Sequence, residues 1–353
     1  MKNKGLKGLA ISLVAVLGLA ACGSDSGTSD TTMPAADSQA GAGMTIGLLY
    51  DITGRGDKSF NDAAAAGYDK AMAEFPGATF IESAPTGDED RAERLQTMID
   101  QGAGLIVCVG FLWTKDCTEG ALAHPEISFA IIDDVIDSPN AVSLLFKEAE
   151  GSFLVGYAAA LKSTTGKIGF IGGVRTDGIG KFEAGFKAGV TAANPSATVE
   201  VKYATEPPDF SGFNDPAKGK SIAASMYSSG IDVIYHAAGG TGAGLFAAAM
   251  ESGKAPGEIW AIGVDSDQYQ SVAAENGKDY ILTSMLKRVD VATYEAMKAY
   301  LTGTPLSGTM IFDLSKDGVG YSASNSAVSD IADKLEAIKA EIISGAIAVP
   351  EKP

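Results

Sequence analysis

The stretch "IGLLYDITGRGDKSFNDAAAAGYDKAMAEF", residues 46–75, decides the fold class. It opens with a short apolar run, residues 46–50, that predicts a buried strand, and a glycine-rich loop leads from there into an alanine-rich helix. One apolar face of that helix recurs at helical spacing and consists of Ala65, Tyr68, Met72 and Phe75. A buried strand followed by a helix is the unit from which parallel α/β sheets are built.

The same unit recurs along the body of the chain. Further apolar runs bounded by glycine or aspartate, most of them separated by helical patterns, occupy residues 79–82, 104–109, 128–133, 167–171, 198–203, 233–238, 260–264 and 280–284. Strands that alternate with helices predict parallel sheets covered on both faces. The strands are more numerous than one sheet readily accommodates. The sequence therefore predicts an α/β protein with two doubly wound, Rossmann-like lobes joined by hinge strands.

The two predicted lobes alternate along the chain. The helical stretch 147–166 is expected to open the second lobe, and hinge strands are expected near Asp137 and Ser266. The N-terminal lobe is predicted to comprise residues 44–137 and about 267–310, and the C-terminal lobe residues 138–266 and about 311–345.

The amino-acid composition and net charge indicate the class of protein and argue against some binding partners. The 353 residues are 46% hydrophobic and 20% charged, as in an ordinary globular protein, and the formal net charge is −17. Nucleic acids and anionic membrane surfaces attract basic patches, so an acidic chain argues against both as binding partners. We expect a monomer that binds no nucleic acid.

The N-terminus predicts export. An apolar run over residues 9–19 is too short to span a membrane, and it is preceded by Lys2, Lys4 and Lys7. The next residues, "LAAC" at 19–22, resemble the lipobox of bacterial lipoproteins. That resemblance implies a signal peptide over residues 1–21 and lipid on Cys22, and ordinary secretory cleavage beside a chance cysteine is the alternative.

A tether is predicted between the lipid and the folded lobes. Residues 22–43 are rich in Ser, Asp, Thr, Ala and Gly, a composition typical of flexible segments. We therefore expect an extracytoplasmic protein that is anchored to the cell membrane by the lipid on Cys22. In that oxidising location Cys108 and Cys117 are candidates for a disulfide, and two buried thiols are the alternative.

Ligands of open α/β sheets bind beyond the carboxyl ends of the strands. The residues that follow the predicted strands, or lie in the loops beside them, include Asp51, Ser59, Phe60, Asn61, Asp134, Phe213, Gly239, Gly240, Asp265 and Lys287. Several acids, a lysine, two aromatic rings and a glycine-rich turn on one rim predict a binding site for a small polar ligand.

Each of these residues also has a purely structural explanation. Ser59 or Asn61 can cap the helix that follows, and Asp134 can be a turn residue. Asp265 and Lys287 can form an ordinary salt bridge. The second-lobe phenylalanine can pack within its loop, and the glycine turn can let a helix start close to a strand. Their shared location favours the binding site.

Six motifs resemble the basic membrane protein family. In chain order they are "DKSFND" (57–62), "EAEGSFLVGYAAAL" (148–161), "GKIGFIGG" (166–173), "AAGGTGAG" (237–244), "GVDSDQ" (263–268) and "LTSMLKRVD" (282–290). Characterised members of that family are substrate-binding lipoproteins of ABC transporters with the type I periplasmic-binding fold. The resemblance, from about Met44 to about Tyr321, implies a purine nucleoside ligand such as inosine, guanosine or adenosine, a permease partner, no enzyme activity and no cofactor.

The resemblance also implies a role for the residues that would hold the base. Phe60 and Phe213 would sandwich the rings between the two lobes. Asn61 and Asp134 would hold the polar edge of the base. An amide suits that edge because it both donates and accepts hydrogen bonds.

The ribose would be held by the remaining residues. The resemblance implies that Asp265 and Lys287 bind the ribose and that Gly239 and Gly240 line its pocket. The loop after the first strand departs from the family pattern, which usually reads Asp-Gly-Gly, so Asp51 is expected to face the ligand differently here.

Other classes of function fit the sequence less well. "AAGGTGAGLF", residues 237–246, follows a strand and opens a helix as in dinucleotide-binding enzymes, but Leu245 stands where the third glycine belongs. A hydrolase is disfavoured because the chain has two histidines, His124 and His236, and no nucleophile elbow. No metal-ligand spacing appears. A sugar as ligand and an added role as a surface sensor stay open.

Overall fold

The computed structural model describes residues 40–86 and 90–353, so the predicted signal peptide, most of the tether and Cys22 lie outside the described residues. The strands are β1 (Thr45–Leu49), β2 (Thr79–Ser83), β3 (Leu105–Val109), β4 (Ser128–Ile132), β5 (Ala141–Phe146), β6 (Lys167–Val174), β7 (Thr198–Thr205), β8 (Val233–Ala237), β9 (Trp260–Asp265), β10 (Ile281–Lys287), β11 (Gly308–Phe312) and β12 (Val319–Tyr321). The helices are α1 (Phe60–Glu74), α2 (Arg91–Asp100), α3 (Thr114–Ala123), α4 (Glu148–Lys162), α5 (Asp177–Ala193), α6 (Pro216–Ser228), α7 (Gly242–Glu251), α8 (Gln268–Ser271), α9 (Val289–Leu301) and α10 (Ala332–Ile343). Among these described helices, none combines the length and the hydropathy needed to cross a membrane.

Within the described residues the strands form two six-stranded sheets. The first sheet has the order β11-β5-β4-β3-β1-β2, and all its strand pairs are parallel. The second has the order β12-β10-β9-β8-β6-β7, with β12 antiparallel to β10 and the other pairs parallel. In the first sheet, α1 and α9 pack on one face and α2 and α3 on the other. The predicted fold of two doubly wound lobes is confirmed.

The points at which the chain passes from one lobe to the other differ from the prediction. β5 belongs to the first sheet, and β10 belongs to the second. The first two crossovers therefore lie at about Lys147 and Arg288, and not near Asp137 and Ser266, and a third lies between β11 and β12. β5 was not predicted because its residues, 141–146, run almost directly into the apolar helix α4. A short apolar run does not show whether its residues have the spacing of a strand or of a helix.

Helices α4 and α5 pack unusually closely, and this contact supports one wall of the cleft. A Cβ atom at Gly185 would lie 2.0 Å from the carbonyl oxygen of Ala149, and one at Gly156 would lie 2.2 Å from that of Phe186. Glycine is therefore needed at both positions for the two backbones to touch. The contact holds the first turns of both helices beside the ends of the second-sheet strands, where the ligand site is expected.

Candidate ligand-binding site

A cavity of about 450 Å³ lies between the carboxyl ends of the two sheets. It falls within the range of roughly 300–1,000 Å³ typical of small-molecule sites. Eight of the ten predicted ligand-binding residues line it: Asp51, Phe60, Asn61, Asp134, Phe213, Gly239, Asp265 and Lys287. The other two, Ser59 and Gly240, are buried beside the cavity without lining it.

Aromatic rings from both lobes face the cavity. Phe60, the first residue of α1, and Phe111, which follows β3, come from the first lobe, and Phe182 and Phe213 come from the second. Phe213 lies against the backbone of Gly173, where a Cβ atom would approach its ring carbon Cδ1 to 2.5 Å. Flat apolar surfaces are thus available on two sides of a ligand.

Lys287 is the buried cation of the site. It ends β10, is 3% exposed, and its Nζ lies 2.5 Å from Oδ2 of Asp133 and 3.3 Å from Oε1 of Glu148. Burial by itself lowers the pKa of this ammonium group. The carboxylates of Asp133, Glu148 and Asp265 outweigh the burial, and the pKa of Lys287 is raised above its usual range.

Two acidic residues at strand ends have positive backbone φ angles, in the left-handed region. Asp133 has φ +72° and Asp265 has φ +63°, a conformation that costs most side chains roughly 1–2 kcal/mol and that aspartate tolerates better than most. Burial raises the pKa of Asp265 to about 7, although Lys287 and a hydrogen bond from Ser59 partly offset it. Both residues line the cavity, and the carboxylate of Asp133 forms an ion pair with its lysine.

Three carboxylate oxygens in the cavity lining are buried without a hydrogen-bond partner among the described residues. They are Oδ1 of Asp51, Oδ1 of Asp133 and Oε2 of Glu148. Burial raises the pKa of Asp51 to about 7, with the nearby Arg91 partly opposing it. A buried acceptor without a donor is costly, so the site suits a ligand that supplies several hydroxyl or amino hydrogens.

Asn61 lines the cavity, but its polar atoms are already used by the loop before α1. Its Oδ1 accepts from the backbone N–H of Asp51 at 3.0 Å, and its Nδ2 donates to Thr53 and to Asp57. The carboxylate of Asp57 also accepts from the N–H groups of Ser59, Asn61 and Asp62 and so caps α1. Asn61 thus holds the loop in place, but the predicted alternative that Ser59 or Asn61 caps the helix is wrong, because Asp57 provides the cap.

The adjacent acids at the end of β4 play different parts. The carboxylate of Asp134 accepts from the hydroxyl of Thr114 and from the N–H of Val135, which ties it to its own loop. Asp133 is the residue that pairs with Lys287. The acid predicted at this strand end, Asp134, is thus the neighbour of Asp133, whose Oδ1 accepts no hydrogen bond from the described residues.

Five cavity-lining residues with clear chemistry were missed from the sequence: Asp57, Phe111, Asp133, Glu148 and Phe182. The strand-end rule could have found Phe111 and Asp133, since both follow parallel strands. Of the other three, Asp57 lies in a loop, Glu148 begins α4 and Phe182 lies in the second turn of α5. No pattern in the sequence distinguishes them from surface or core positions.

The two cysteines lie beneath this site. Cys108 in β3 and Cys117 in α3 are joined by a disulfide across nine residues of sequence. The closed loop contains Phe111, which lines the cavity, and Thr114, whose hydroxyl holds Asp134. The disulfide therefore constrains the loop that forms one wall of the cavity.

Comparison with known proteins supplies the family. The model of a family described as "ABC transporter substrate-binding protein PnrA-like", named Bmp, matches residues 45–353. The chain belongs to this family. The resemblance seen in the six motifs is thereby confirmed, and the Bmp family is one of extracytoplasmic substrate-binding proteins of ABC transporters.

Individual relatives agree with the Bmp assignment. The chain is 40% identical to a "CD4+ T-cell-stimulating antigen" of Listeria innocua over 98% of each chain. It is 34% identical to an "ABC transporter nucleoside-binding protein BmpA" of Lactococcus lactis over 100% of each. A crystal structure of ABC transporter solute-binding proteins from Aeropyrum pernix matches with a TM-score of 0.74 and 29% identity, over 87% of this chain and 94% of that one.

Proposed function

We propose that this Bmp-family protein captures a purine nucleoside in the cleft between its lobes and delivers it to an ABC transporter. The observation that carries the proposal is the composition of the cavity wall. Aromatic rings come from both lobes, and the lining holds one buried lysine together with carboxylate oxygens that accept no hydrogen bond from the described residues. A nucleoside has complementary chemistry, since its base presents two apolar faces and its ribose presents hydroxyl groups.

The base is proposed to lie between aromatic rings. Phe60 and Phe213 belong to opposite lobes, so a planar ligand between them is held on both faces when the lobes are together. Base–aromatic stacking contributes about 1–3 kcal/mol per base. Oδ1 of Asp51 accepts no hydrogen bond from the described residues, although Arg91 lies 3.8 Å away, and it is available to an N–H on the edge of the base.

The ribose is proposed to lie against the acids around Lys287. Its hydroxyl groups donate to Asp133, Glu148 and Asp265, two of which have an unpaired buried oxygen. Lys287 donates one hydrogen bond to Asp133 and forms an ion pair with Glu148, so an ammonium hydrogen is available for a ribose oxygen. The acids therefore require a ligand that is rich in donors.

Sequence relatives support the same class of ligand. The Lactococcus lactis relative is named for nucleoside binding, and the match covers its whole length. We further propose that the mature protein is held at the outer face of the cell membrane by lipid on Cys22, and that it hands its ligand to a permease in that membrane.

The proposal is tested by identifying the ligand that accompanies the protein. Purified protein is denatured, and the released small molecules are analysed by mass spectrometry. A purine nucleoside at near-stoichiometric amount, absent from a Phe60→Ala/Asp265→Ala preparation, is the expected result. A sugar or an amino acid released in that amount would contradict the nucleoside assignment and leave the binding-protein family untouched.

A further inference from the structure

Five residues beside the cavity join the two lobes directly, and we call them the interlobe clasp. Lys58 and Ser59 precede α1 in the first lobe, and Asp265, Ser266 and Gln268 lie at or after the end of β9 in the second. The hydroxyl of Ser59 donates to Oδ2 of Asp265 at 2.5 Å. In return, the hydroxyl of Ser266 donates to the backbone carbonyl of Ser59 at 3.1 Å.

The side chain of Gln268 is buried and contacts three polar partners. It is 1% exposed, and its Oε1 accepts from the N–H of Val264 at 3.0 Å and lies 2.9 Å from Nε2 of His236. Its Nε2 donates to the backbone carbonyl of Lys58, in the other lobe, at 3.0 Å. Three partners thus fix a side chain that reaches across the cleft.

His236 orients this glutamine. Because Oε1 of Gln268 can only accept, the proton of the imidazole must lie on Nε2. Burial lowers the pKa of His236 to about 4, which keeps the ring neutral near pH 7. The N–H of Val264 and the carbonyl of Lys58 distinguish the two ends of the amide, and His236 adds a second contact at Oε1 that helps to hold the NH₂ group toward the opposite lobe.

Apart from Asp265, the residues of the clasp act on the site without forming its wall. Ser266 and Gln268 are absent from the cavity lining, whereas Phe60, which immediately follows the clasped residues, is part of it. Lys58 has φ +55°, a backbone conformation that favours glycine, and its carbonyl is the group that Gln268 binds. The clasp therefore determines where the ring of Phe60 stands relative to Asp265.

We propose that Gln268 and Ser266 are positioning residues that fasten the lobes together over the ligand and so set the rate of its release. The identity of the ligand rests on the proposed function. Hydrogen bonds between lobes form only when the lobes are closed, so they stabilise the closed state relative to the open one. Their loss should speed dissociation and leave association nearly unchanged.

The kinetic test compares the Gln268→Ala and Ser266→Ala variants with wild type. Radiolabelled inosine is the probe, and rapid filtration gives its association and dissociation rate constants. We expect each variant to release inosine about threefold to tenfold faster, the loss that corresponds to one net hydrogen bond. Gln270→Ala is the matched control, since Gln270 is exposed two residues away and should release inosine at the wild-type rate.

A structural readout separates positioning from general destabilisation. Spin labels are placed at Ala66→Cys in α1 and Ala217→Cys in α6, which are exposed positions in opposite lobes. Pulsed electron resonance then measures the distance between the lobes with and without inosine. We expect Gln268→Ala and Ser266→Ala to add a population at longer distances that the Gln270→Ala control lacks.

The outcomes are distinguishable from those of the proposed function. If wild type binds none of inosine, guanosine and adenosine, the nucleoside assignment fails, and the distances measured without ligand still test the clasp; if it binds only one of the other two, that nucleoside replaces inosine as the probe. If Gln268→Ala proves unfolded by circular dichroism, the half-buried Ser266→Ala variant decides. Wild-type release rates together with wild-type distance distributions in the folded variants would overturn the clasp.

Discussion

At the start of α1, the ring of Phe60 faces both the cavity and the buried ammonium group of Lys287. Its ring is half-buried, lines the cavity and lies 5.1 Å from Nζ of Lys287. We expect Phe60→Ala to weaken the binding of inosine and of hypoxanthine about equally, by about 1–3 kcal/mol, because both ligands present the same ring system. Calorimetric titration of the variant with each ligand measures the two losses.

A matched substitution separates stacking from simple packing. Phe60→Leu keeps most of the apolar volume and removes the aromatic face, so it should recover the stability of the fold but little of the affinity. If Phe60→Leu binds inosine as tightly as wild type, the ring is a packing residue and the stacking role is wrong.

Asp51 makes the stability of the protein depend on pH. Burial raises the pKa of this carboxyl from 3.8 to about 7, so in the folded protein it keeps its proton to a higher pH than in the unfolded chain. Stability from this group is therefore lost as the pH rises from about 4 to about 7. Over that range we expect the free energy of unfolding of Asp51→Asn to increase relative to that of wild type by about 4 kcal/mol.

Urea denaturation of ligand-free wild type and Asp51→Asn across that pH range measures the effect. The difference between the two free energies of unfolding should grow with pH and level off above about pH 8. A difference that stays constant would show that burial does not perturb the titration of Asp51.

A residue of the site could be predicted from the sequence when it lies at the end of a strand or directly after one. This holds for Asp51, Asp265 and Lys287, and the rule that ligands bind beyond the carboxyl ends of strands predicts them in the site. All three line the cavity. The rule could not choose between Asp133 and Asp134, because the left-handed turn at φ +72° lies outside the regular alternation of a strand. Such a turn is imposed by the contacts around it.

At the scale of elements, the disulfide between β3 and α3 closes the loop that carries Phe111. We expect the Cys108→Ala/Cys117→Ala variant to lose about 2–3 kcal/mol in the free energy of unfolding, the value for closing a loop of this length. Inosine binding should weaken as well, because Phe111 and Thr114 lose their constraint. Urea denaturation without reductant and calorimetry measure the two effects.

The outcome of this double variant can also contradict the assignment. Wild-type stability of the variant, or two thiols that alkylate freely in native wild-type protein, would mean that the cysteines are unbridged buried thiols. A variant that is destabilised yet binds inosine as wild type does would separate the stability of the loop from its role in the cavity wall.

The strands and helices were largely readable from the sequence, but their assignment to lobes was not. Apolar periodicity marks a strand and carries no information on which sheet it joins. β10 pairs with β9 and β5 pairs with β4, so both lie in the lobe opposite to the predicted one. The positions of Glu148 and Phe182 at the cavity follow from the α4–α5 contact, which only the assembled fold shows.

At the scale of the whole molecule, the two lobes enclose a cleft and the N-terminal sequence is predicted to hold them at the membrane. We expect Cys22→Ser to leave the protein without lipid, because one cysteine would supply the acyl attachment site. Metabolic labelling with a radioactive fatty acid measures this, and label retained by Cys22→Ser would contradict the lipobox assignment.

The central claim is that the cleft binds a purine nucleoside through both its base and its ribose. It is tested most directly by calorimetric titration of wild-type protein, refolded after removal of bound ligand, with inosine, guanosine, adenosine, hypoxanthine and ribose at two temperatures. The account predicts tight binding of at least one nucleoside, weaker binding of hypoxanthine and much weaker binding of ribose. No heat with any of the three nucleosides at either temperature, or ribose binding as tightly as inosine, would contradict it.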